Sequence, residues 1–456
     1  KVAVVSLGCA KNLVDSEVML GLLERDGCEL VDQAEEAEVI IVNTCAFTAE
    51  AKTEALDAIL ETAQLKQEGK CRALLCCGCL SQRYAEELLE QLPEVDGFVG
   101  TGSVARIGSA VQAALRGERP LLLDPPSFLY ADDTPRVRSG PQWLAYVKIA
   151  EGCDNPCSFC AIPAARGPFR SRRADSVRRE FERLAEEGAR EIILVAQDTT
   201  YYGMDLVGRP LLAELLGELD ATGFDGWIRV LYMHPHRVDD VLVDVVAASR
   251  SVVPYFDIPM QHASARLLEA MERPERAEEN LALIRRLRAR VPGAAVRTAF
   301  VVGFPGETEA DFAELLRFVE EAQIDRVSGF VFSAEEGTPA ATMDRQIPRE
   351  VAEERLAELM ATQEPVSLRR NQALIGGQLE VLVEADHPEG IVGRTHRDAP
   401  EVDGDIVVAD CVAPPGNFVR AVVTGAEVHD LRGVRVPDVL GAPTAQRWSR
   451  AVRMAG

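Results

Sequence analysis

The sequence predicts an α/β protein in three parts: an open parallel α/β sheet over 1–125, a partial (β/α)6 barrel over 142–370 and a small all-β barrel over 371–440. A linker at 126–141 joins the first two parts, and 441–456 is a tail. Two stretches of alternating strand-like and helix-like patterns predict the parallel sheets, because such alternation buries a sheet under helices on both faces. A switch after about 371 to short apolar runs broken by Gly and Pro predicts the all-β part.

In the first part the clearest strands are KVAVVSLGC (Lys1–Cys9), AEVIIVNTC (Ala37–Cys45) and CRALLCCGC (Cys71–Cys79). Helical patterns follow at about Val14–Arg25, Thr48–Gln67 and Gln82–Gln91, and a weaker strand, GFVG, leads to another helix. Each strong strand ends in a cysteine: Cys9, Cys45 and Cys79. Ligands of open parallel sheets bind outside the carboxyl ends of the strands. The three thiols are therefore expected at one sheet edge, with Gly8, Ala10, Ala46 and Gly78 leaving room for a bulky group. Cysteine is also among the most buried residue types, and that reading suits Cys28, Cys71, Cys76 and Cys411. Cys77 is ambiguous. It falls within the apolar run, whereas Cys79 follows Gly78 at the exit, and Cys79 is preferred.

Pro125 to Pro141 is rich in Pro, Asp and Ser and reads as the linker. The strand candidates that follow are WLAYVKIA, EIILVAQD (Glu191–Asp198), WIRVLYMH (Trp227–His234), YFDIPMQ (Tyr255–Gln261), VRTAFVVGF (Val296–Phe304) and RVSGFVF (Arg326–Phe332). Helical stretches such as Ser176–Glu187 and Glu309–Ala322 lie between them. Polar residues gather at the strand ends: Gln197, Asp198, His234, Gln261, His262 and the loop Gly303–Thr308. In barrels that placement marks a site.

The stretch CDNPCSFC places Cys153, Cys157 and Cys160 in one loop after the first of these strands. Iron–sulfur cubes are normally held by cysteine thiolates, and three thiols leave one of four irons open. A structural zinc site instead wants a fourth ligand and usually paired CxxC arms. CxxxCxxC with Phe159 before its last cysteine resembles the signature of the radical S-adenosylmethionine (SAM) enzymes. That resemblance implies a 4Fe-4S cluster on Cys153, Cys157 and Cys160, SAM held at the open iron, and Phe159 near its adenine. By position in the same pattern, Gln197 and Asp198 meet the SAM amino group, Gln261 the ribose, and Val302 and Gly303 the adenine through backbone. The second-strand sequence VAQDTT departs from that pattern's usual Gly-Gly-Glu. Arg166, Arg170, Arg172 and Arg173 follow the loop, suited either to an acidic group of SAM or substrate or to the solvated start of a helix.

The last part resembles a TRAM domain, a module that usually binds RNA. Over 371–440 it carries five Arg and no Lys against twelve Asp and Glu, a net of −7, which suits phosphate poorly and a basic protein better. The whole chain agrees, with a net charge of −24, and field sign governs encounter. At 456 residues, 47% hydrophobic and 27% charged, it has the composition of a multidomain soluble protein. No apolar run reaches membrane-spanning length and no signal segment opens the chain. It begins at Lys1, so a few initial residues are expected to precede it. Eleven cysteines in such a chain predict a cytoplasmic, metal-binding role over a disulfide framework.

Three thiols in the first part, CxxxCxxC in the middle and a TRAM-like end together resemble the methylthiotransferase family. SLGCAKNLVDSE (Ser6–Glu17), VAQDTTYYG (Val195–Gly203) and FDIPMQHAS (Phe256–Ser264) resemble its protein-modifying branch. The GCQMN-type opening and GQNVNSYG-type second strand of the tRNA-modifying branch are absent. The resemblance implies transfer of a methylthio group to the β-carbon of an aspartate in ribosomal protein S-twelve, a basic protein of the small subunit. It also implies two 4Fe-4S clusters, the second on Cys9, Cys45 and Cys79, together with SAM and a reductant protein. No membrane is involved, RNA is disfavoured as a partner, and no protein general base is required. The competing readings are the same chemistry on a tRNA adenosine and a non-catalytic two-cluster electron carrier or sensor.

Overall fold

The structure, a computed structural model, describes residues 1–436; the expected tail at 441–456 lies outside the described residues. The first part is a five-stranded parallel sheet in the order β1 (Val2–Ser6), β2 (Val39–Thr44), β3 (Ala73–Gly78), β4 (Gly97–Val99), β5 (Leu121–Leu122). Helices α1 (Ala10–Arg25), α2 (Ala49–Glu68), α3 (Cys79–Gln91) and α4 (Ile107–Leu115) cover it. The apolar sides of α1 and α4 lie on one face with Val39, Ile41 and Leu75, and those of α2 and α3 on the other with Ile40, Val42 and Leu74. The central strands are buried on both sides, which is why they read as unbroken apolar runs. The register pairs Ser6 with Asn43 and Thr44 with Gly78, so β1, β2 and β3 end at nearly one level.

Residues 123–143 contain no helix or strand, yet they are pinned to both neighbouring parts. The Tyr130 hydroxyl accepts a hydrogen bond from the Lys148 amide at 3.0 Å. Arg136 pairs with Glu17 of α1 at 2.5 Å and with Glu180 at 2.8 Å. The linker is a clasp between the two units.

The middle part holds six parallel strands in two triplets. The first is β6 (Leu144–Lys148), β9 (Glu191–Val195) and β10 (Trp227–Val230), and the second is β11 (Tyr255–Asp257), β12 (Ala295–Val302) and β13 (Arg326–Val331). Between the triplets the Met233 amide bonds the Asp257 carbonyl at 2.9 Å, so the sheet curves on as a half-closed barrel. An antiparallel clip of β7 (Ala150–Glu151) and β8 (Arg170–Ser171) closes the cysteine loop. Helices α5 (Ile162–Arg166), α6 (Ala174–Glu186), α7 (Met204–Val207), α8 (Leu212–Asp220), α9 (Asp240–Ala248), α10 (Ala265–Ala270), α11 (Ala277–Arg290) and α12 (Glu309–Ala322) lie between the strands. The long α13 (Arg349–Gln372), with Pro365 inside it, leads out of the barrel.

The last part is a closed five-stranded barrel in the order β14 (Gln378–His387), β15 (Gly390–Thr395), β16 (Ile406–Ala409), β18 (Leu431–Arg435), β17 (Phe418–Ala426). It docks on the amino ends of the central strands. Glu191, which opens β9, pairs with Arg394 at 2.7 Å and with Arg229 at 2.6 Å. Arg326, which opens β13, pairs with Asp398 at 2.7 Å, and Tyr255, which opens β11, donates to Asp403 at 2.5 Å. The carboxyl ends of those strands are left to the site. No described helix is long and apolar enough to cross a membrane.

Candidate functional site

The loop Cys153–Cys160 is fixed mainly by its backbone. Gly152 takes a φ of +81°, and a Cβ there would strike the Pro168 carbonyl. The Cys153 amide bonds the Gly167 carbonyl at 3.1 Å, and Cys160 closes back on Cys157 at 3.1 Å. Buried Ser158 ties the loop to α10, its amide on Met271 at 3.1 Å and its hydroxyl on Ala270 at 2.7 Å, while its carbonyl accepts from Ala340 at 2.9 Å. The sulfurs lie close enough for Cys157 to raise the proton affinity of both Cys153 and Cys160. Burial first, then the neighbouring thiols, push Cys160 up to about 12, and burial pushes Cys153 up to about 11. Arg273 Nη1 lies 3.6 Å from the Cys157 sulfur and Asn155 Nδ2 3.4 Å from that of Cys153. Phe159 packs on Leu267, Met271, Val301 and Phe304.

The second triad forms at the ends of β1, β2 and β3. Cys9 caps α1 and Cys79 is the first residue of α3, so both sit over free helix amides, which favour an anion. Burial, then the charges of Cys79 and Cys9, push Cys45 up to about 12. Burial also works to raise Cys9, but Lys11, Arg166 and the amides of Asn12 and Lys11 outweigh it and hold that thiol below its ordinary value. Gly8 has a φ of +86°, and a Cβ there would stand 2.7 Å from Cys45 Cβ and 3.2 Å from its sulfur. Cys77 points into the apolar core with Leu75 and Val99.

The donor sets fit a cluster better than a single ion. Four ligands at a tetrahedral zinc stand about 3.8 Å apart when the Zn–S distance is about 2.3 Å. Among the described residues, only His234, His236 and Glu275 bring three ligand atoms within 4.8 Å of one another. Both cysteine triads are wider, as a cube spanning several metals requires, and all six thiols are free of disulfides.

A buried charge network runs from the strand-end triad into the half-barrel. Arg166, at the end of α5, turns away from solvent to the Cys9 and Cys79 side, where it meets Asn12 and, at 2.6 Å, Asp15. Lys148 pairs with Asp15 and, at 2.5 Å, with Glu151, and Glu151 accepts from Gln197 Nε2 at 2.6 Å. Arg166, Lys148, Asp15 and Glu151 are all at most 5% exposed. Arg172 is buried on Glu180 at 2.5 Å, Arg173 lies at the surface, and Arg170 is half-buried with Nη1 on the Pro168 carbonyl at 2.5 Å.

Of the other predicted SAM contacts, Asp198 is already engaged by Asn155 at 2.9 Å, Arg237 at 2.6 Å and Thr200 at 2.5 Å. Gln197 keeps one buried side-chain oxygen without a partner. Gln261 stands in the left-handed region at φ 68°, as does Tyr232 at φ 62°. Such outliers gather where a surrounding structure imposes them, often at sites. The Val302 carbonyl accepts from Phe332 at 2.9 Å, and the Gly303 amide is taken by Glu307. Gln197, Asp198, Gln261, Val302 and Gly303 line the carboxyl ends of the strands, but Val302 and Gly303 spend backbone groups within the fold. Sequence reasoning missed Lys11, Asn12, Asp15, Lys148 and Glu151. Lys148 and Glu151 interrupt an apolar strand just before the cysteine loop, and that was their only sequence signal.

The chain matches three family models: Uncharacterized protein family UPF0004 over residues 1–100, the Radical SAM superfamily over 147–319 and the TRAM domain over 375–436. It is 48% identical to ribosomal protein uS12 methylthiotransferase RimO of Pelotomaculum thermopropionicum, over 96% of this chain and 99% of that one. The RimO of Desulforudis audaxviator is 50% identical, over 95% of this chain and 96% of that one. The chain belongs to the RimO family of methylthiotransferases. Among solved structures, the radical SAM methyltransferase TsrM of Kitasatospora setae, with tryptophan and a SAM analogue bound, shares the fold. Its TM-score is 0.57 at 16% identity, over 80% of this chain and 89% of that one.

Proposed function

We propose that this protein is a radical SAM methylthiotransferase that adds a methylthio group to the β-carbon of an aspartate in ribosomal protein S-twelve. The observation that carries the reading is the pair of three-thiol sites at the carboxyl ends of the two parallel sheets, with Arg166 reaching from the end of the helix after the cysteine loop to the strand-end thiols. Cys153, Cys157 and Cys160 would hold one 4Fe-4S cluster, and Cys9, Cys45 and Cys79 the other. When bound, the first cluster with SAM supplies a 5′-deoxyadenosyl radical able to take hydrogen from an unactivated carbon, and the second supplies sulfur.

The chain's own part is to place and shield. The clip of β7 and β8 and the Ser158 anchor hold the first three thiols in one loop. Lys11 and Arg166 bring fixed positive charge to the second triad, which offsets the burial of thiolates. The Glu151–Gln197 bond carries that network to the end of β9, where Gln197, Asp198 and Gln261 form the rim assigned to SAM. Phe159, packed against an apolar cluster beside the cysteine loop, is the residue assigned to the adenine side.

The substrate reading rests on charge. Of the five arginines in the last part, Arg394 and Arg397 are buried against the central barrel on Glu191 and Asp325. Arg432 is held by Glu389 and Glu427. The surface left is acidic, suited to a basic protein in the cytoplasm and poorly suited to RNA. A reductant protein supplies the electron.

Reconstituted enzyme with reductant and SAM would be offered ribosomal protein S-twelve and unmodified tRNA in parallel, with mass spectrometry on both. A methylthio group on an aspartate of the protein is expected. Modification of the tRNA alone would overturn the substrate while keeping the fold.

A further inference from the structure

Beside the cysteine loop, outside both triads, three ligand atoms converge with nothing between them. His234 Nδ1 lies 2.8 Å from Glu275 Oε1 and 2.9 Å from His236 Nδ1, and His236 Nδ1 lies 3.6 Å from the same carboxylate oxygen. Ligands about 2.0–2.1 Å from a tetrahedral zinc stand about 3.3 Å apart, close to the middle of those distances. Glu275 is 2% exposed, and among the described residues its two oxygens are met only by His234, His236 and Arg273. A buried carboxylate is costly unless its partners satisfy it, and each Nδ1 carries at most one proton, so at most two protons lie among the three facing atoms. A cation at their common focus would satisfy all three at once.

The surroundings are those of a ligand shell. Arg273 Nε stands 3.3 Å from the far oxygen, Oε2, and so orients the carboxylate from behind, as outer partners of metal ligands do. Arg237, the other nearby guanidinium, is turned away and held by Asp198 and Asn155. His234 is buried and fixed by the fold, while the side chain of His236 is 41% exposed. The focus opens on a cavity of about 410 Å³ whose rim carries Glu269 and Glu272. Three protein ligands on one side and open space on the other is the arrangement that leaves coordination positions for water or an outside ligand.

We propose that His234, His236 and Glu275 form a third metal site, distinct from the two cysteine triads, that takes a single divalent transition cation of the zinc class. Two imidazoles and one carboxylate suit such a cation over calcium or magnesium, which prefer all-oxygen shells. The site is tied to the cysteine loop, since Arg273 also reaches the Cys157 sulfur at 3.6 Å.

The test uses tag-free holoenzyme with its cysteine sites filled, dialysed anaerobically against buffered zinc. Zinc uptake is measured beside iron, and the zinc X-ray absorption edge reports the ligands. One zinc per chain is expected, with a nitrogen and oxygen shell free of sulfur. His236→Ala, at a half-exposed position, and Glu275→Gln should each weaken uptake at least tenfold while iron content stays at the wild-type level. No uptake, a sulfur-containing shell, or equal uptake by His236→Ala and wild type would each overturn the proposal.

Discussion

The two cysteine triads offer the same donors but are built in opposite ways. Cys153, Cys157 and Cys160 belong to one loop, tied to its surroundings by Gly152, Ser158 and the β7–β8 clip. Cys9, Cys45 and Cys79 come from three strands and meet only because β1, β2 and β3 end together. Their charge differs as well. The loop triad has Arg273 beside one sulfur, whereas the strand-end triad has Lys11 and Arg166, both buried, and a network reaching into the next unit. A site made from one loop depends on local backbone. A site made from three strand ends depends on the sheet and on the neighbour that supplies its countercharge.

That difference sets the order of expected effects. Cys157→Ala should abolish SAM cleavage, with at least a hundredfold loss in 5′-deoxyadenosine formed, while iron bound by the strand-end triad remains. Arg166→Gln should act across the boundary. It leaves Asp15 and Glu151 to share Lys148 as their one remaining buried cation, a loss on the order of 3–5 kcal/mol for breaking buried pairs. Iron content should fall at the strand-end triad alone, and the thermal midpoint should fall with it. Retention of full iron and stability would show that the network is not the brace described.

Gly8→Ala sharpens the same contrast on the backbone side. It adds a Cβ 2.7 Å from Cys45 Cβ at a φ of +86°, at a cost on the order of 1–3 kcal/mol, and should lower cluster occupancy with little effect on the loop triad. Iron per chain with electron paramagnetic resonance of the reduced protein separates the two.

The smallest expected effect is in the last barrel, far from both triads. Burial first, then the charges of Glu384 and Asp430, raise the Asp405 carboxyl to about 6 from 3.8. Its folded value is above its unfolded one, so its stabilising contribution is complete below about pH 3.8 and is lost as pH rises through about 6. Asp405→Asn should therefore raise the thermal midpoint at pH 7 and leave it unchanged at pH 4. Equal shifts at both values would contradict the assignment.

Much of this was legible in the sequence, for physical reasons. The loop triad was readable because local backbone builds it, so its spacing is written in eight consecutive residues. The strand-end triad was readable one step further away, through the rule that parallel strands open their carboxyl ends to ligands. Cys79 and Cys77 illustrate the limit. A run such as CRALLCCGC shows an exit at Gly78, but only the sheet shows Cys77 turned into the core. Arg166 was in view yet not its direction, because which way a guanidinium turns depends on acids that lie 151 and 15 residues away. The third site was similarly hidden. His234 and His236 stood at a strand end, but Glu275 joins them only through the fold.

The measurement that bears most directly on the division of work is made on the variant with Cys9, Cys45 and Cys79 all changed to Ala. It should be reconstituted and assayed for iron, SAM cleavage and methylthio transfer to ribosomal protein S-twelve. Half the wild-type iron, continued SAM cleavage and no methylthio product is the predicted result. Loss of SAM cleavage together with the product, or unchanged iron, would contradict two separate clusters with separate tasks.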